Sequence, residues 1–270
     1  MHPENFEILR YWINERELVR IKKEAGEPKP WSEDTVFQRT YFCNVHREDD
    51  RVTKWIRQVY SPHVGHHLFT HNIVLARLLN WPETLEYIGY QREWNQDRIN
   101  ALLHRKAEDG KIWGSAYVVT THGLKMNKID YLTERVMQSA VDNIETIGAL
   151  DTCETVARML QEVEGISTFM AGQIVADLKN TPHHYLEKAT DWWSFALPGP
   201  GSRRGMDWLM ARKVPERQWY AELDNLRHVL KDVHKVELCA QDLQNCLCEY
   251  DKYMRVSNGT GRSKRNYPGL

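Results

Sequence analysis

The sequence has little cysteine, no long apolar run and almost no net charge. Its five cysteines are odd in number and scattered over 270 residues, which argues against a disulfide framework and favours reduced thiols. No apolar run approaches the roughly 18 residues of a membrane span. Residues 1–5 have neither the basic nor the apolar part of a signal peptide, so we expect a cytoplasmic protein.

Several enzyme motifs are also missing. No segment matches GxxxxGK[ST], which excludes phosphoryl transfer or nucleotide hydrolysis on a P-loop. The HxE…CxxC pattern of zinc deaminases and the GxSxG elbow of hydrolases are absent. His63, His67 and His71 are spaced i,i+4, with His66 beside them, but no carboxylates accompany them. We therefore expect no metal and no cofactor.

The few unbalanced charges lie at one end of the chain. Five basic residues and no acidic one follow Asp251, namely Lys252, Arg255, Arg262, Lys264 and Arg265. The rest of the chain therefore carries 31 basic against 37 acidic residues. A basic C-terminal tail, residues 255–270, on an acidic body suits an anionic partner such as nucleic acid, although a solvated terminus explains the same charges.

The spacing of apolar residues predicts an all-α chain that forms a single helical domain over residues 1–270. Phe6, Leu9, Ile13 and Leu18 are expected near one face of a helix over 5–25. Further helices are predicted over 65–80, 83–88, 95–108, 129–147, 152–162 and 216–249, and one beginning at residue 32. Only residues 111–121 resemble a strand, and their small residues fit a tight buried segment equally well.

A short turn between two amphipathic helices marks the region of about residues 152–178. Gly165 lies in the turn, and Ser167 and Thr168 begin the second helix. This is the pattern of a helix-hairpin-helix, in which backbone N–H groups face a DNA phosphate and glycine permits the tight turn. An ordinary helical hairpin has the same pattern, so both interpretations stay open.

A stretch of alternating proline and glycine precedes two arginines. We predict a rigid loop in which the N–H groups around Gly199, Gly201 and Ser202 form a nest for an anion. Arg203 and Arg204 supply permanently charged, forked donors suited to phosphate. The loop is therefore predicted to bind phosphate.

Two aspartates flank these motifs. In helix-hairpin-helix DNA glycosylases an Asp beyond the hairpin enters the active site, and Asp191 stands at roughly that place. Asp177, on the second helix of the hairpin, is interpreted as a structural carboxylate.

Two further stretches are dense in functional side chains. Cys248, Asp251 and Lys252 share a helical face because they are spaced i, i+3 and i+4. A lysine beside the thiol would lower its pKa and make it a nucleophile, although an ion pair beside a buried cysteine fits as well. Around Lys54 and Arg57, aromatics alternate with bases, which suits stacking and phosphate contacts with an unpaired base.

Three segments together resemble one phage-centred family. They are residues 30–53 with the run Phe42-Cys43-Asn44-Val45-His46-Arg47, the loop over 191–205, and the end at 248–253. The family is that of the α-glutamyl/putrescinyl-thymine pyrophosphorylases, now understood as amino acid:DNA transferases. Its helical module is also fused to 5-hydroxymethyl-deoxyuridine (5-hmdU) DNA kinases. The resemblance covers about residues 6–268 and implies a helix-hairpin-helix, DNA-glycosylase-like helical fold.

The resemblance implies hypermodification of thymidine in bacteriophage DNA. The substrate would be double-stranded DNA whose 5-hydroxymethyluracil has been phosphorylated by a 5-hmdU DNA kinase acting upstream. The chain would replace that phosphate by the amine of a free amino acid, with glycine expected, to give a glycinyl thymidine. The reaction would take place in the cytoplasm of the infected bacterial host, where such bases evade restriction.

This chemistry requires an extruded base, donors for the leaving phosphate and an acceptor for the ammonium proton. We assign the phosphate to the predicted nest together with Arg203 and Arg204. We assign proton abstraction to Asp191 first and to Asp251 second.

The remaining roles are assigned by residue type. Cys248 or Cys43 would expel the phosphate by adding to the pyrimidine, whereas direct displacement needs neither. Arg47 is our candidate for the amino-acid carboxylate, and Lys252 for the phosphate. Contacts to DNA are predicted for Gly165, Ser167, Thr168, Lys54, Arg57, Arg262, Lys264 and Arg265.

Two functions of other classes stay open. A DNA glycosylase or lyase with the same fold would excise a modified pyrimidine with the help of Asp191. A non-catalytic DNA-binding module would recruit a separate 5-hmdU DNA kinase.

Overall fold

The computed structural model describes residues 1–117, 119–144, 151–234 and 236–261. Within these ranges the chain is helical and contains no β-strand, which confirms the predicted all-α class. The α-helices are α1 (Pro3–Glu24), α2 (Thr35–Arg39), α3 (Arg51–Tyr60), α4 (Phe69–Leu79), α5 (Pro82–Ile88), α6 (Gln96–Glu108), α7 (Lys128–Asp130), α8 (Met137–Ile144), α9 (Cys153–Gln161), α10 (Thr168–Lys179), α11 (Pro200–Met210), α12 (Glu216–His234) and α13 (Ala240–Ser257).

Shorter turns complete the described helical structure. They are 3₁₀ turns at Arg47–Asp49, Ser61–His63 and Tyr185–Lys188, and a π-helical segment, Tyr131–Val136, between α7 and α8. No helix within the described ranges has both the length and the apolar character needed to cross a membrane.

The chain divides into two compact units. The terminal unit joins Met1–Asp50 to the chain from Ala196 onward, and the central unit is Arg51–Phe195. That residues 1–270 form one domain stays a prediction.

The core of the terminal unit forms where α1, α2, α11 and α12 pack against α13 and one another. Leu9, Trp12 and Ile13 of α1 are buried, and the Trp12 ring meets Phe42 edge-on with centroids 5.8 Å apart. Each fully buried aliphatic or aromatic side chain contributes about 2 kcal/mol. Leu18 is exposed, contrary to our prediction. The nine residue steps from Leu9 to Leu18 make about two and a half helical turns, so the two side chains lie on opposite sides of α1.

The central unit is built around two almost fully buried helices, α4 and α10. These two helices pack against each other. In addition, α4 packs against α3, α5 and α8, and α10 packs against α9. The Arg77 guanidinium forms a bidentate pair with Asp177 and donates to the Thr53 hydroxyl at 2.7 Å. Both charged side chains are buried, so the pair needs this full set of partners, and Asp177 is structural as predicted.

The predicted helix over residues 216–249 is two helices. α12 ends at His234 and α13 begins at Ala240, with Cys239 at its N-cap. The two helices pack against each other and bury apolar residues in one core, which a single straight helix cannot do. The intervening apolar residues fit a helical pattern, so the spacing conceals the break.

The predicted rigid loop after Pro198 is also wrong, because α11 begins inside it. Gly199 is the N-cap and Pro200 occupies the first helical position, where its fixed φ fits and its missing N–H costs nothing. The residues assigned to an anion nest therefore form the start of an 11-residue helix.

Other local predictions differ in detail. The segment Arg51–Tyr60, predicted only as a mixture of aromatics and bases, is helix α3. The described part of the strand-like segment 111–121 is irregular. Gly114 donates its N–H to the Leu79 carbonyl at 2.7 Å, and a Cβ there would clash with Asn80, so this glycine is tightly packed, although it is only half-buried and Ala116 is exposed.

Candidate functional site

Two glycines bring the start of α11 against α13. A Cβ at Gly201 would clash with the Cys248 sulfur, and a Cβ at Gly205 would clash with the Leu247 carbonyl oxygen. Because neither position carries a side chain, the two helices approach closely. This approach places the Cys248 thiol beside the turn predicted to bind phosphate.

The first turn of α11 offers backbone donors. The Ser202 hydroxyl and the Arg203 N–H donate to the Gly199 carbonyl at 3.0 and 3.1 Å. No side chain caps the helix. Within the described part of the chain, the N–H groups of Gly201 and Ser202 find no acceptor. A helix start of this kind favours an anion.

A buried carboxylate holds a half-exposed guanidinium next to this turn. Arg204 donates to Oδ2 of Asp251 from Nε at 3.1 Å and from Nη2 at 2.9 Å. Trp208 Nε1 donates to Oδ1 at 3.2 Å, and Arg255 Nε to Oδ2 at 3.1 Å. The Asp251 side chain is 1% exposed and that of Arg204 48%. The hydrogen bonds to Asp251 raise the pKa of Arg204 above its ordinary value, so its charge is permanent.

A second set of polar contacts connects the Cys43 segment to α13. The Cys43 N–H donates to Oε2 of Glu249 at 3.0 Å. Lys252 donates to the same carboxylate at 2.5 Å and to the Tyr41 carbonyl at 3.2 Å, and its ammonium lies 5.1 Å from the Phe42 ring centroid. Lys252 is therefore held by three partners rather than directed freely toward a ligand.

The thiols beside these groups are protonated at neutral pH. Desolvation, followed by the Glu249 carboxylate, raises the pKa of Cys248 to about 11 and that of Cys43 to about 12. Both residues expose part of their surface, so the desolvation comes from protein atoms packed around the sulfur. The predicted lowering of the Cys248 pKa is wrong, because these effects outweigh the attraction of Lys252.

The two other arginines predicted in this unit differ in access. Nη2 of Arg203 lies 2.7 Å from a carboxylate oxygen of the exposed Glu216, a kind of pair that water weakens. The Arg47 side chain is 13% exposed and lies 3.6 Å from Glu48. Arg203 is thus accessible to a ligand, whereas Arg47 is mostly enclosed, and its role with a carboxylate stays a prediction.

Asp191 lies in the central unit and caps a helix. Its Oδ1 accepts from the Cys153 N–H at 2.8 Å and its Oδ2 from the Glu154 N–H at 2.9 Å, at the start of α9. The residue is partly exposed, so each oxygen keeps a lone pair for a further contact.

The predicted hairpin has the expected helices and turn. α9 and α10 pack together, and Gly165 between them has φ +79°. The Ser167 hydroxyl accepts from the Met170 N–H at 3.4 Å, and the Thr168 hydroxyl donates to Gln161 at 2.6 Å. A role of this hairpin as a DNA-binding helix-hairpin-helix stays a prediction.

The other predicted DNA contacts fall into two groups. Lys54 is exposed on α3, whereas Arg57 donates to the Asp177 carbonyl at 2.9 Å and to the Thr181 hydroxyl, so part of its guanidinium binds the end of α10. Arg255, the predicted start of the basic tail, belongs to α13. Three predicted contacts lie outside the described residues: Arg262, Lys264 and Arg265.

Two residues of this region were missed by the sequence analysis. Glu249 joins Cys43 to Lys252, and Trp208 donates to Asp251. Glu249 is next to Cys248 in a segment rich in functional side chains, so the sequence could have indicated it as a site residue. The sequence gives no such indication for Trp208, because its partner Asp251 is 43 residues away.

Comparison with known families covers almost the whole chain. The family model described as 5-hmdU DNA kinase, helical domain, matches residues 3–263. No curated protein and no solved structure matches. The match sets the chain in the context of phage DNA hypermodification and agrees with the helical fold. The chain belongs to the family of 5-hmdU DNA kinase helical domains.

Proposed function

We propose that the protein is an amino acid:DNA transferase that acts on phosphorylated 5-hydroxymethyluracil in double-stranded DNA. The amine nitrogen of a free amino acid, with glycine the expected one, forms a bond to the 5-methylene carbon. The carbon–oxygen bond to phosphate breaks, and phosphate leaves with the electron pair. The product is a glycinyl thymidine.

The observation that supports the proposal is a group of oriented donors at the start of α11. Arg204 is half exposed and fixed by the buried Asp251, and the N–H groups of Gly201 and Ser202 lie in the same turn. A dianionic phosphate gains most from donors that are already oriented and need no reorganisation when the leaving group forms. Arg203 adds a second accessible guanidinium.

The amine must lose a proton before it attacks, because an amino acid is a zwitterion at neutral pH. Asp251 is a poor candidate, since it is buried and already accepts from three side chains. Asp191 is partly exposed and each of its oxygens accepts a single N–H bond. Asp191 thus keeps lone pairs open for a proton, and its role as the acceptor stays a prediction for a residue of the central unit.

The neutral thiols support direct displacement of the phosphate. A pKa of about 11 for Cys248 and about 12 for Cys43 leaves very little thiolate at neutral pH to add to the pyrimidine. We therefore assign neither cysteine a covalent role.

One observation favours a second function. The matching family is described as a domain of a kinase, and a domain of that kind without its own chemistry would act by binding DNA for a partner enzyme. Such a module would bind the substrate DNA and leave its bases unchanged.

The decisive experiment uses DNA that contains phosphorylated 5-hydroxymethyluracil, mixed amino acids and the purified protein. The DNA is digested to nucleosides, which are identified by mass. Transfer predicts a new aminoacyl thymidine together with released phosphate. A free base or an abasic site would indicate a glycosylase or lyase, and unchanged nucleosides with intact DNA binding would indicate the binding module.

A further inference from the structure

A group of histidines in the central unit has no role in the proposed reaction. His63, His66 and His67 lie between α3 and α4, and Tyr90 and Arg92 follow α5. The His63 ring stacks on Tyr90 with centroids 4.1 Å apart, and the His66 ring meets Tyr90 edge-on at 5.6 Å. The His66 and His67 rings are 4.5 Å apart.

These rings are anchored to the core of the unit. Tyr90 contacts the buried Tyr60 edge-on at 5.3 Å, and Tyr60 meets Trp55 at 5.6 Å. Nδ1 of His66 accepts from the Leu68 N–H at 3.2 Å, so the neutral ring carries its proton on Nε2. His66 is thus oriented as a hydrogen-bond donor without being charged.

The groups that act on His66 are all basic. Desolvation lowers its pKa, and His67, Arg92 and His63 lower it further, with no carboxylate among the groups that act on it. On the α4 side, the buried His71 faces His67 and its pKa is lowered to about 4, chiefly by burial.

Arg92 is exposed, and no ion pair or hydrogen bond of its guanidinium is found among the described residues. A permanent positive charge beside other basic side chains, with no carboxylate acting on the group, attracts an anion.

We propose that His63, His66, His67 and Arg92, together the imidazole surface, bind the phosphate of a phosphate-bearing ligand, and that this ligand is the DNA backbone. Arg92 supplies a permanent charge and a forked donor, His66 a neutral N–H donor, and His63 and His67 further imidazole rings beside it. The proposal rests on the proposed function only in taking DNA as the ligand and requires no transfer chemistry.

Binding at this surface depends on salt in a defined direction. Because the ligand groups are backbone phosphates, DNA affinity is expected to fall as the salt concentration rises, and to fall less steeply once Arg92 is replaced.

The test is a titration of a fluorescein-labelled, unmodified DNA duplex at constant pH and at about 50 and about 200 mM salt. The variants are H63Q/H66Q/H67Q and, separately, R92Q. R92Q removes an exposed side chain and leaves the ring packing intact, so it tests the surface even if the triple variant fails to fold. H228Q and R217Q, on α12 of the terminal unit, are the matched controls.

The expected result is that the triple variant and R92Q each bind DNA about threefold to tenfold more weakly at the lower salt concentration, with a smaller loss of affinity at the higher one. Both controls should behave as the unaltered protein. An unchanged affinity in R92Q, or in a folded triple variant, would overturn the proposal.

A second arm separates DNA from a free phosphate compound as the source of the ligand. Inorganic phosphate and adenosine monophosphate are titrated calorimetrically into the unaltered protein and into R92Q. Binding of either compound that R92Q abolishes, while R92Q keeps full DNA affinity, would contradict the DNA assignment. Because the duplex carries no phosphorylated base, a failure of amino-acid transfer leaves this result unaffected.

Discussion

Arg204 donates two hydrogen bonds to a single oxygen of Asp251, at 3.1 and 2.9 Å, across the contact between α11 and α13. The carboxylate is buried and the guanidinium is half exposed. A charge that is fixed on one side and open to solvent on the other can meet an anion without first being ordered, which is the property the proposed site requires.

Replacing Asp251 by Asn should destabilise the terminal unit. The amide cannot neutralise Arg204 and Arg255, and its NH₂ group cannot accept their hydrogen bonds. We expect a loss of about 2 to 4 kcal/mol in the free energy of unfolding, measured by urea denaturation. The matched control is Asp224→Asn, which breaks an exposed pair with Arg227 and should cost about 0.5 kcal/mol or less. Equal losses in both variants would refute a buried role for Asp251.

Gly205→Ala should be far more damaging than Gly199→Ala. A Cβ at position 205 would clash with the backbone of Leu247, which cannot move without separating the helices, whereas a Cβ at position 199 meets nothing within 4 Å. We expect Gly205→Ala to cost about 2 to 3 kcal/mol and Gly199→Ala less than about 1 kcal/mol in thermal unfolding. Equal melting temperatures of the two variants would contradict the close contact between α11 and α13.

Arg204→Gln should reduce turnover more than DNA binding. Its guanidinium is held by Asp251 and half exposed, and we assign it to the leaving phosphate, so its removal should lower the rate of transfer about a hundredfold while DNA affinity falls about threefold or less. Arg203→Gln is the control, because Arg203 pairs only with the exposed Glu216, and it should lose less turnover than Arg204→Gln. Single-turnover rates and fluorescence anisotropy measure the two quantities. Parallel losses in rate and affinity would assign Arg204 to DNA binding instead.

The thiols should react slowly at neutral pH and faster as the pH rises. With a pKa of about 11 for Cys248, the thiolate fraction at pH about 8 is about one in a thousand, against about a quarter for an unperturbed cysteine. Iodoacetamide labelling followed by mass spectrometry of peptides should show a rate that climbs up to pH about 11. Urea-unfolded protein provides the control and should label much faster at pH about 8. The variant Cys248→Ser should keep its transfer activity. If this variant folds but loses activity, Cys248 has a covalent role after all.

Stability should fall in mild acid because of two buried histidines. Burial lowers the pKa of His71 and His184 to about 4, whereas the unfolded chain titrates near pH 6.5. Between these values the unfolded state binds more protons, so the free energy of unfolding decreases as the pH falls, by up to about 1.4 kcal/mol per pH unit for each histidine. Urea denaturation at pH about 6.5 and about 5 measures this slope.

The double variant His71→Gln/His184→Gln provides the matched comparison. It should lose stability at neutral pH and show a shallower decrease between pH about 6.5 and about 5. The same slope in both proteins would mean that carboxylates, rather than these histidines, control the acid response.

Local spacing predicted those features of the fold that depend on neighbours in sequence. The face of α13 that carries Cys248, Asp251 and Lys252 follows from an i, i+3, i+4 pattern, and α1 was predicted to within two residues at each end. The break between α12 and α13 was not predictable, because no proline or glycine marks it in the sequence.

The site depends on contacts that spacing does not encode. Cys43 meets Glu249 across 206 positions, and Gly201 meets Cys248 across the contact of α11 with α13. Both approaches arise only when the helices have packed. For this reason the sequence predicted a phosphate-binding loop in the Pro-Gly segment, where the chain forms the start of α11.

The central claim is tested most directly with ¹⁵N-labelled glycine. The protein is incubated with DNA that contains phosphorylated 5-hydroxymethyluracil, and the digested nucleosides are examined by mass spectrometry. The account predicts a thymidine derivative that carries the label on its 5-methylene group and releases one phosphate for each label incorporated. Complete recovery of the phosphorylated nucleoside, with glycine or with any other amino acid, would contradict it.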